Sequence, residues 1–199
     1  MTLTQIESRA DSGIDRERIK HAMEEIVAAI PIDPDEEGIR DTPRRVADMY
    51  AELFAGLAED PVEVLSTGFE EGHDEMVIAR DITFYSMCEH HFLPFYGVAH
   101  IGYTPRGRIV GISKLARAVE ILARRPQVQE RLTAQIADAV AEGTNPSGVG
   151  VVVEAEHLCM AMRGIQKPGT KILTSVNRGC FRDDSRTRAE FLGFVRNGQ

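Results

Sequence analysis

Apolar residues recur along this chain in two regimes, helical spacing in some stretches and short β-rich runs in others. After a polar, aperiodic stretch over residues 1–14, read as an arm, Ile19, Met23, Ile26, Val27 and Ile30 fall at helical spacing from Asp15 onward. Pro31 ends that helix, and Pro31, Pro34 and Gly38 make a loop. Thr42 followed by Pro43 predicts a second helix start, with the hydroxyl as cap and proline at the first position. Val46, Tyr50, Leu53, Phe54 and Leu57 supply its apolar stripe.

The middle of the chain changes character. Residues 76–85, 95–104 and 108–112 are β-branched or aromatic runs, and Thr104-Pro105-Arg106-Gly107 reads as a hairpin turn between two of them. Ser113 is expected to cap a helix carrying Leu115, Ala118, Val119, Ile121 and Leu122. A second helix follows Arg125-Pro126 and runs to about residue 141, with Val128, Leu132, Ile136, Ala139 and Val140 inward. Residues 145–148 turn the chain into a long strand over 148–162, a shorter strand over 171–176 and a last helix over about 183–195. Helices come in blocks between turn-linked strands, which indicates an α+β fold and not alternating βαβ units. The expected organisation is an arm (1–14), a helical segment (15–70) and a larger domain (71–199).

Composition narrows the classes. With 199 residues, 43% hydrophobic and 27% charged, the chain can bury a core and keep a soluble surface. A net charge of −8 argues against a nucleic-acid binder. No apolar run nears the roughly 18 residues of a membrane span. The N-terminus lacks a signal-peptide layout, so the expected location is the cytoplasm. Three cysteines, an odd number, favour metal binding or free thiols over a disulfide framework.

The candidate chemistry begins at Cys88 and His91, three apart, so that a tight bend brings both to one point while His90 faces elsewhere. On the predicted strand 148–162, alternation puts His157, Cys159 and Arg163 on one face. Cys88, His91 and Cys159 then form a three-ligand set with an open fourth position, the pattern of a catalytic zinc. His157 or His90 can fill the fourth place, and scattered core cysteines are the alternative. The start of the helix at Ser113 and Lys114, with Arg117 one turn on and Arg163 beyond Cys159, suits a phosphorylated ligand. Gln129 and Glu130 can read a polar ring edge.

Four segments carry a resemblance: CEHHFLP (88–94), GISKLAR (111–117), RPQVQERL (125–132) and EHLCMAMRG (156–164). They resemble the zinc-dependent GTP cyclohydrolase I family, and the similarity runs from about residue 15 to 195. It implies a tunnelling fold, in which a helix pair lies on an antiparallel sheet, preceded by a helical segment. It further implies a homodecamer with active sites between subunits, and hydrolysis of GTP by water to formate and 7,8-dihydroneopterin triphosphate. By position, the resemblance assigns Cys88, His91 and Cys159 to Zn2+, and His157, His90 and Ser113 to proton transfer. It assigns Glu130 with Gln129 to the guanine, and Lys114, Arg117, Arg163 and Arg45 to the ribose and triphosphate, Arg45 in a neighbouring subunit's site. Residues 176–181 depart from the family pattern, and Cys180 matches no ligand position. A cysteine-dependent nitrile reductase on a similar fold, or a zinc-stabilised assembly without activity, are the rival readings.

Overall fold

A computed structural model describes residues 13–196, so the arm expected over 1–14 lies, but for Gly13 and Ile14, outside the described residues. The chain divides into two compact units, the first ending at Ala58 and the second beginning at Glu59.

In the first unit, α1 (Arg16–Ala29) is capped by Asp15, whose carboxylate accepts the Arg18 N–H at 2.9 Å. Helix α2 (Thr42–Leu53) starts one residue earlier than expected. Asp41 occupies the cap position and makes no side-chain bond, whereas Thr42 is already helical and turns its hydroxyl back to the Gly38 carbonyl, 3.5 Å away. Its most buried positions are Pro43, Ala47 and Ala51, four apart on one stripe, while Leu57 remains 54% exposed.

The second unit contains α3 (Pro61–Leu65), β1 (Gly68–His73), β2 (Val77–Cys88), β3 (Leu93–Thr104), β4 (Gly107–Val110), α4 (Ile112–Ala123) and β5 (Pro126–Gln127). It continues with α5 (Gln129–Thr144), β6 (Gly148–His157), α6 (Leu158–Ala161), β7 (Lys171–Gly179), α7 (Cys180–Asp183) and α8 (Ser185–Arg196). Five strands form one sheet in the order β5-β2-β3-β6-β7, antiparallel except for the short β5 beside β2. The arrangement is α+β, as the order of elements predicts. Among the described residues no helix is long and apolar enough to cross a membrane.

The expected hairpin at 104–107 is not formed. The chain does turn there, with Gly107 at φ +87, but β4 leaves the large sheet and pairs with β1 in a separate two-stranded ribbon. The turn residues favour a reversal of direction; they do not choose which strand receives it. Ser113 is likewise not the cap of α4: Gly111 holds that position and Ser113 sits inside the first turn.

One face of the sheet carries the core. Phe95, Ala99, Ile101 and Tyr103 of β3 stand opposite His157, Val153, Val151 and Val149 of β6, and all but His157 are essentially inaccessible. Leu115, Ala118, Val119 and Leu122 of α4 and Leu132, Ile136 and Val140 of α5 join them in one cluster. The opposite face packs Val152 against Phe181 and Phe191. The register is what matters for function, because Cys88, Phe95 and His157 lie at one end of the helix-covered face.

Gly97 sits in that register opposite Ala155, with no room for a side chain. A Cβ at this position would stand 1.9 Å from the Glu154 carbonyl oxygen, on the strand that ends in His157. Gly97→Ala therefore has to push two central strands apart. It is expected to cost about 3 kcal/mol, the upper range for overpacking, and to lower the thermal midpoint measured by circular dichroism.

Candidate active site

Strand β2 ends at Cys88, and a tight turn begins there: the N–H groups of His91 and Phe92 both point at the Cys88 carbonyl, at 3.3 and 2.8 Å. Phe92 takes φ +51 to complete the reversal into β3. This turn swings His91 back over Cys88. His90 does not face away, as the spacing suggested; its Nδ1 lies 3.9 Å from Cys88 Sγ. The turn is tied to its surroundings on both sides. The Glu89 N–H donates to the Gln127 carbonyl at 2.9 Å, and the Glu89 carboxylate takes two hydrogen bonds from Arg131 of α5, at 2.5 and 2.9 Å. Such forked pairing fixes orientation as well as distance. It also holds the Glu89 carboxyl below its ordinary range.

The strand expected over 148–162 is shorter. β6 stops at His157, and Leu158–Ala161 coil into one helical turn, α6. His157 and Cys159 are therefore not alternate residues on one strand face. The coil carries Cys159 back toward Cys88, and the two sulfurs stand 4.0 Å apart. Donor atoms of Cys88, His91 and Cys159 all lie within 4.8 Å of one another, so these three can hold a metal ion. Cys88 is buried, Cys159 half-buried and His91 exposed, which leaves the cluster open to solvent on the histidine side. Two sulfurs bound at about 2.3 Å to one tetrahedral ion stand about 3.8 Å apart, close to the separation seen. Burial raises the Cys159 thiol above its ordinary value and the neighbouring Cys88 raises it further, while the positive charge of Arg163 works the other way. A divalent cation would overturn that balance and favour thiolates.

Beside the cluster, the His157 ring stacks on Phe95, centroids 4.6 Å apart and planes parallel within 1°. Its Nε2 is 2.8 Å from Gln129 Oε1. Burial pushes the His157 pKa down, and the Glu130 carboxylate opposes this. Gln129 is 1% exposed, and its amide nitrogen faces the carbonyls of Val153 and Ile172 and the hydroxyl of Thr174.

The remaining expected residues are more dispersed. Glu130 is exposed at the start of α5. Ser113 is exposed and Lys114 half-buried in the first turn of α4. Arg117, one turn later, is held by Glu59 at 2.7 Å and Glu120 at 3.1 Å. Arg163 is exposed just past α6, and its charge is felt at Cys159. Arg45 lies in the first unit, bonded to the Gly38 carbonyl at 2.8 Å. Sequence reasoning missed Arg131, Glu89, Phe95, Thr133 and Thr174 as supports of the site. Only the placing of Glu89 between two candidate ligands hinted at any of them.

Residues 19–196 match a family model described as GTP cyclohydrolase I. The chain belongs to the GTP cyclohydrolase I family. A relative from Dehalococcoides mccartyi named GTP cyclohydrolase 1 is 59% identical over 185 residues, 92% of this chain and 98% of its own. Relatives of the same name from Bacillus pumilus and Bacillus subtilis are 57% and 55% identical, over 94% and 92% of this chain and 99% and 97% of theirs. Among solved structures, the apo archaeosine synthase QueF-Like superposes with a TM-score of 0.42 at 20% identity, over 52% of this chain and 93% of its own, too loosely to build on.

In this GTP cyclohydrolase I family member the fork between Arg131 and Glu89 should matter for metal affinity more than for folding, because it is a surface pair on the turn that carries two of the three residues able to hold a metal ion. Arg131→Ala is expected to weaken zinc binding roughly tenfold in a titration against a chromophoric chelator. The thermal midpoint of the metal-free protein should hardly move.

Proposed function

We propose that this protein converts GTP and water to formate and 7,8-dihydroneopterin triphosphate, the entry reaction of pterin- and folate-type biosynthesis. The observation that carries the reading is the juxtaposition of the Cys88–His91–Cys159 cluster with the stacked, hydrogen-bonded His157, in a chain so similar to proteins named GTP cyclohydrolase 1. Zinc suits two thiolates and an imidazole with one position left over. The chemistry it supplies when bound is Lewis-acid activation of a water oxygen.

The protein's own residues account for the rest. C8 of guanine is a poor electrophile until N7 carries a proton, and His157 is of the residue type that holds and releases a proton near neutral pH. Glu130 accepts hydrogen bonds from guanine N1–H and the 2-amino group, which adenine cannot offer. Lys114, Arg117, Arg163 and, from a neighbouring subunit, Arg45 bind the ribose triphosphate. Arg117 is already oriented by Glu59 and Glu120 and retains further N–H donors for an anion. Once the ring has opened and C8 has left as formate, Ser113 and His90 serve the proton transfers of ribose opening and ring closure.

The same reading includes the tunnelling fold over residues 71–199, a helical segment before it, and assembly into a homodecamer whose interfaces complete the sites. A site built on thiolates also suits the reducing cytoplasm.

Incubation with GTP followed by oxidation should yield a fluorescent pterin, and a chelator should abolish it; absence of both pterin and formate would overturn the reading. Cys159→Ser is expected to stop formate release while the circular dichroism spectrum stays near that of the wild type. Glu130→Ala should reduce the preference for GTP over ATP roughly a hundredfold, as expected for two hydrogen bonds to a charged acceptor.

A further inference from the structure

We propose that Gln129 is a positioning residue that locks His157 in one tautomer, with the proton on Nε2, and so leaves Nδ1 as the atom that exchanges protons with substrate. The proposal rests on the functional reading above and reassigns Gln129, whose side chain was expected to share the guanine with Glu130.

The orientation of the Gln129 amide is settled by its neighbours. Its nitrogen faces the Val153 carbonyl at 3.1 Å and the Ile172 carbonyl at 2.9 Å, and a backbone carbonyl can only accept. Rotating the amide by half a turn would set an oxygen against two oxygens in a site 1% exposed. Two threonines reinforce this. The Thr133 hydroxyl donates to the Gln129 backbone carbonyl at 2.7 Å, so in the 2.6 Å contact between Thr133 and Thr174 the donor is Thr174. Thr174 Oγ1 is thereby left as a third acceptor near the Gln129 nitrogen, at 3.2 Å.

With the nitrogen so placed, the atom 2.8 Å from His157 Nε2 is an amide oxygen, which cannot donate. The hydrogen in that bond must come from the imidazole. In the neutral ring Nδ1 then carries the lone pair. Phe95, stacked parallel on the ring, fixes its plane, so both the tautomer and the direction of the lone pair are preset. Both amide hydrogens of Gln129 are committed inside the protein, and its oxygen already accepts from His157. The side chain has no donor left for a purine, and reading of the base falls to Glu130.

The test combines a spectrum with kinetics. Protein carrying 15N-labelled histidine and loaded with zinc is examined by solid-state NMR at neutral pH, with the His157 signals assigned by their loss in His157→Asn. The expected wild-type result is a protonated Nε2 and an unprotonated Nδ1; a proton on Nδ1, or an even mixture, overturns the proposal without any Gln129 variant having to fold. In Gln129→Met the tautomers should mix and kcat for GTP should fall roughly ten- to a hundredfold, the range for loss of a group that orients an active-site histidine. KM and the preference for GTP over ITP should stay within about twofold. A raised KM with unchanged kcat would make Gln129 a base-reading residue and overturn the proposal. If the wild type releases no formate from GTP, the functional reading fails, while the wild-type spectrum still decides the tautomer.

Discussion

Two sulfurs 4.0 Å apart, from cysteines 71 positions apart in the chain, are the constraint on which the rest of this site depends. Burial and mutual repulsion raise the thiol of Cys159, so the pair is not comfortable as two thiolates in the protein alone. The fold nevertheless enforces the approach. β2 delivers Cys88 at its last residue, β3 returns from the turn, and β6 ends at His157, two residues before Cys159 in the helical turn α6. The paired strands behind this end of the sheet are anchored by residues as buried as Phe95 and Ala155, both at 0% exposure. Structural cost is accepted at the place where a cation would repay it.

Helix α5 holds the site from two directions. On its outer side Arg131 clamps the turn that carries Cys88 and His91; on its inner side Gln129 holds His157. Between them Leu132 and Ile136 anchor the helix in the core. The turn that carries Cys88 and His91 and the ring of His157 thus share one support, which keeps their spacing from depending on loop conformations. The same helix exposes Glu130 at its first turn, next in sequence to Gln129. One buried and one exposed residue thus stand at adjacent positions, Gln129 turned to His157 and Glu130 to solvent.

Much of this was legible in the sequence. The stripes of α4 and α5 repeat at helical spacing, and every apolar residue named for α4 is buried. That Cys88, His91 and Cys159 meet could also be read, because ligand-type residues are scarce in this chain. Their geometry could not. Leu158, Cys159, Met160 and Ala161 form a short apolar run after Glu156 and His157 without a breaker, and a run that short fits a strand or a helical turn equally well. The hairpin at 104–107 failed for a related reason: a turn sequence encodes reversal, while the partner strand is chosen by distant pairing, here the unpatterned GFEEGH of β1. Ser113 and Thr42 look like caps, yet each lies inside its helix, since Gly111 and Asp41 take the cap positions. The supporting pair of Thr133 and Thr174 left no trace, because the two come from a helix and a strand 41 positions apart.

Cys88, His91 and Cys159 can hold one metal ion, and three protein ligands leave a tetrahedral ion one position for a further ligand. X-ray absorption at the zinc edge of the loaded protein is the decisive measurement of this arrangement. Two sulfur neighbours at about 2.3 Å and two lighter neighbours near 2.0 Å are expected, one of the lighter pair from His91 and one exchangeable, with a sulfur lost in Cys159→Ser. A shell made up entirely of protein ligands, or one that keeps both sulfurs in that variant, would contradict it.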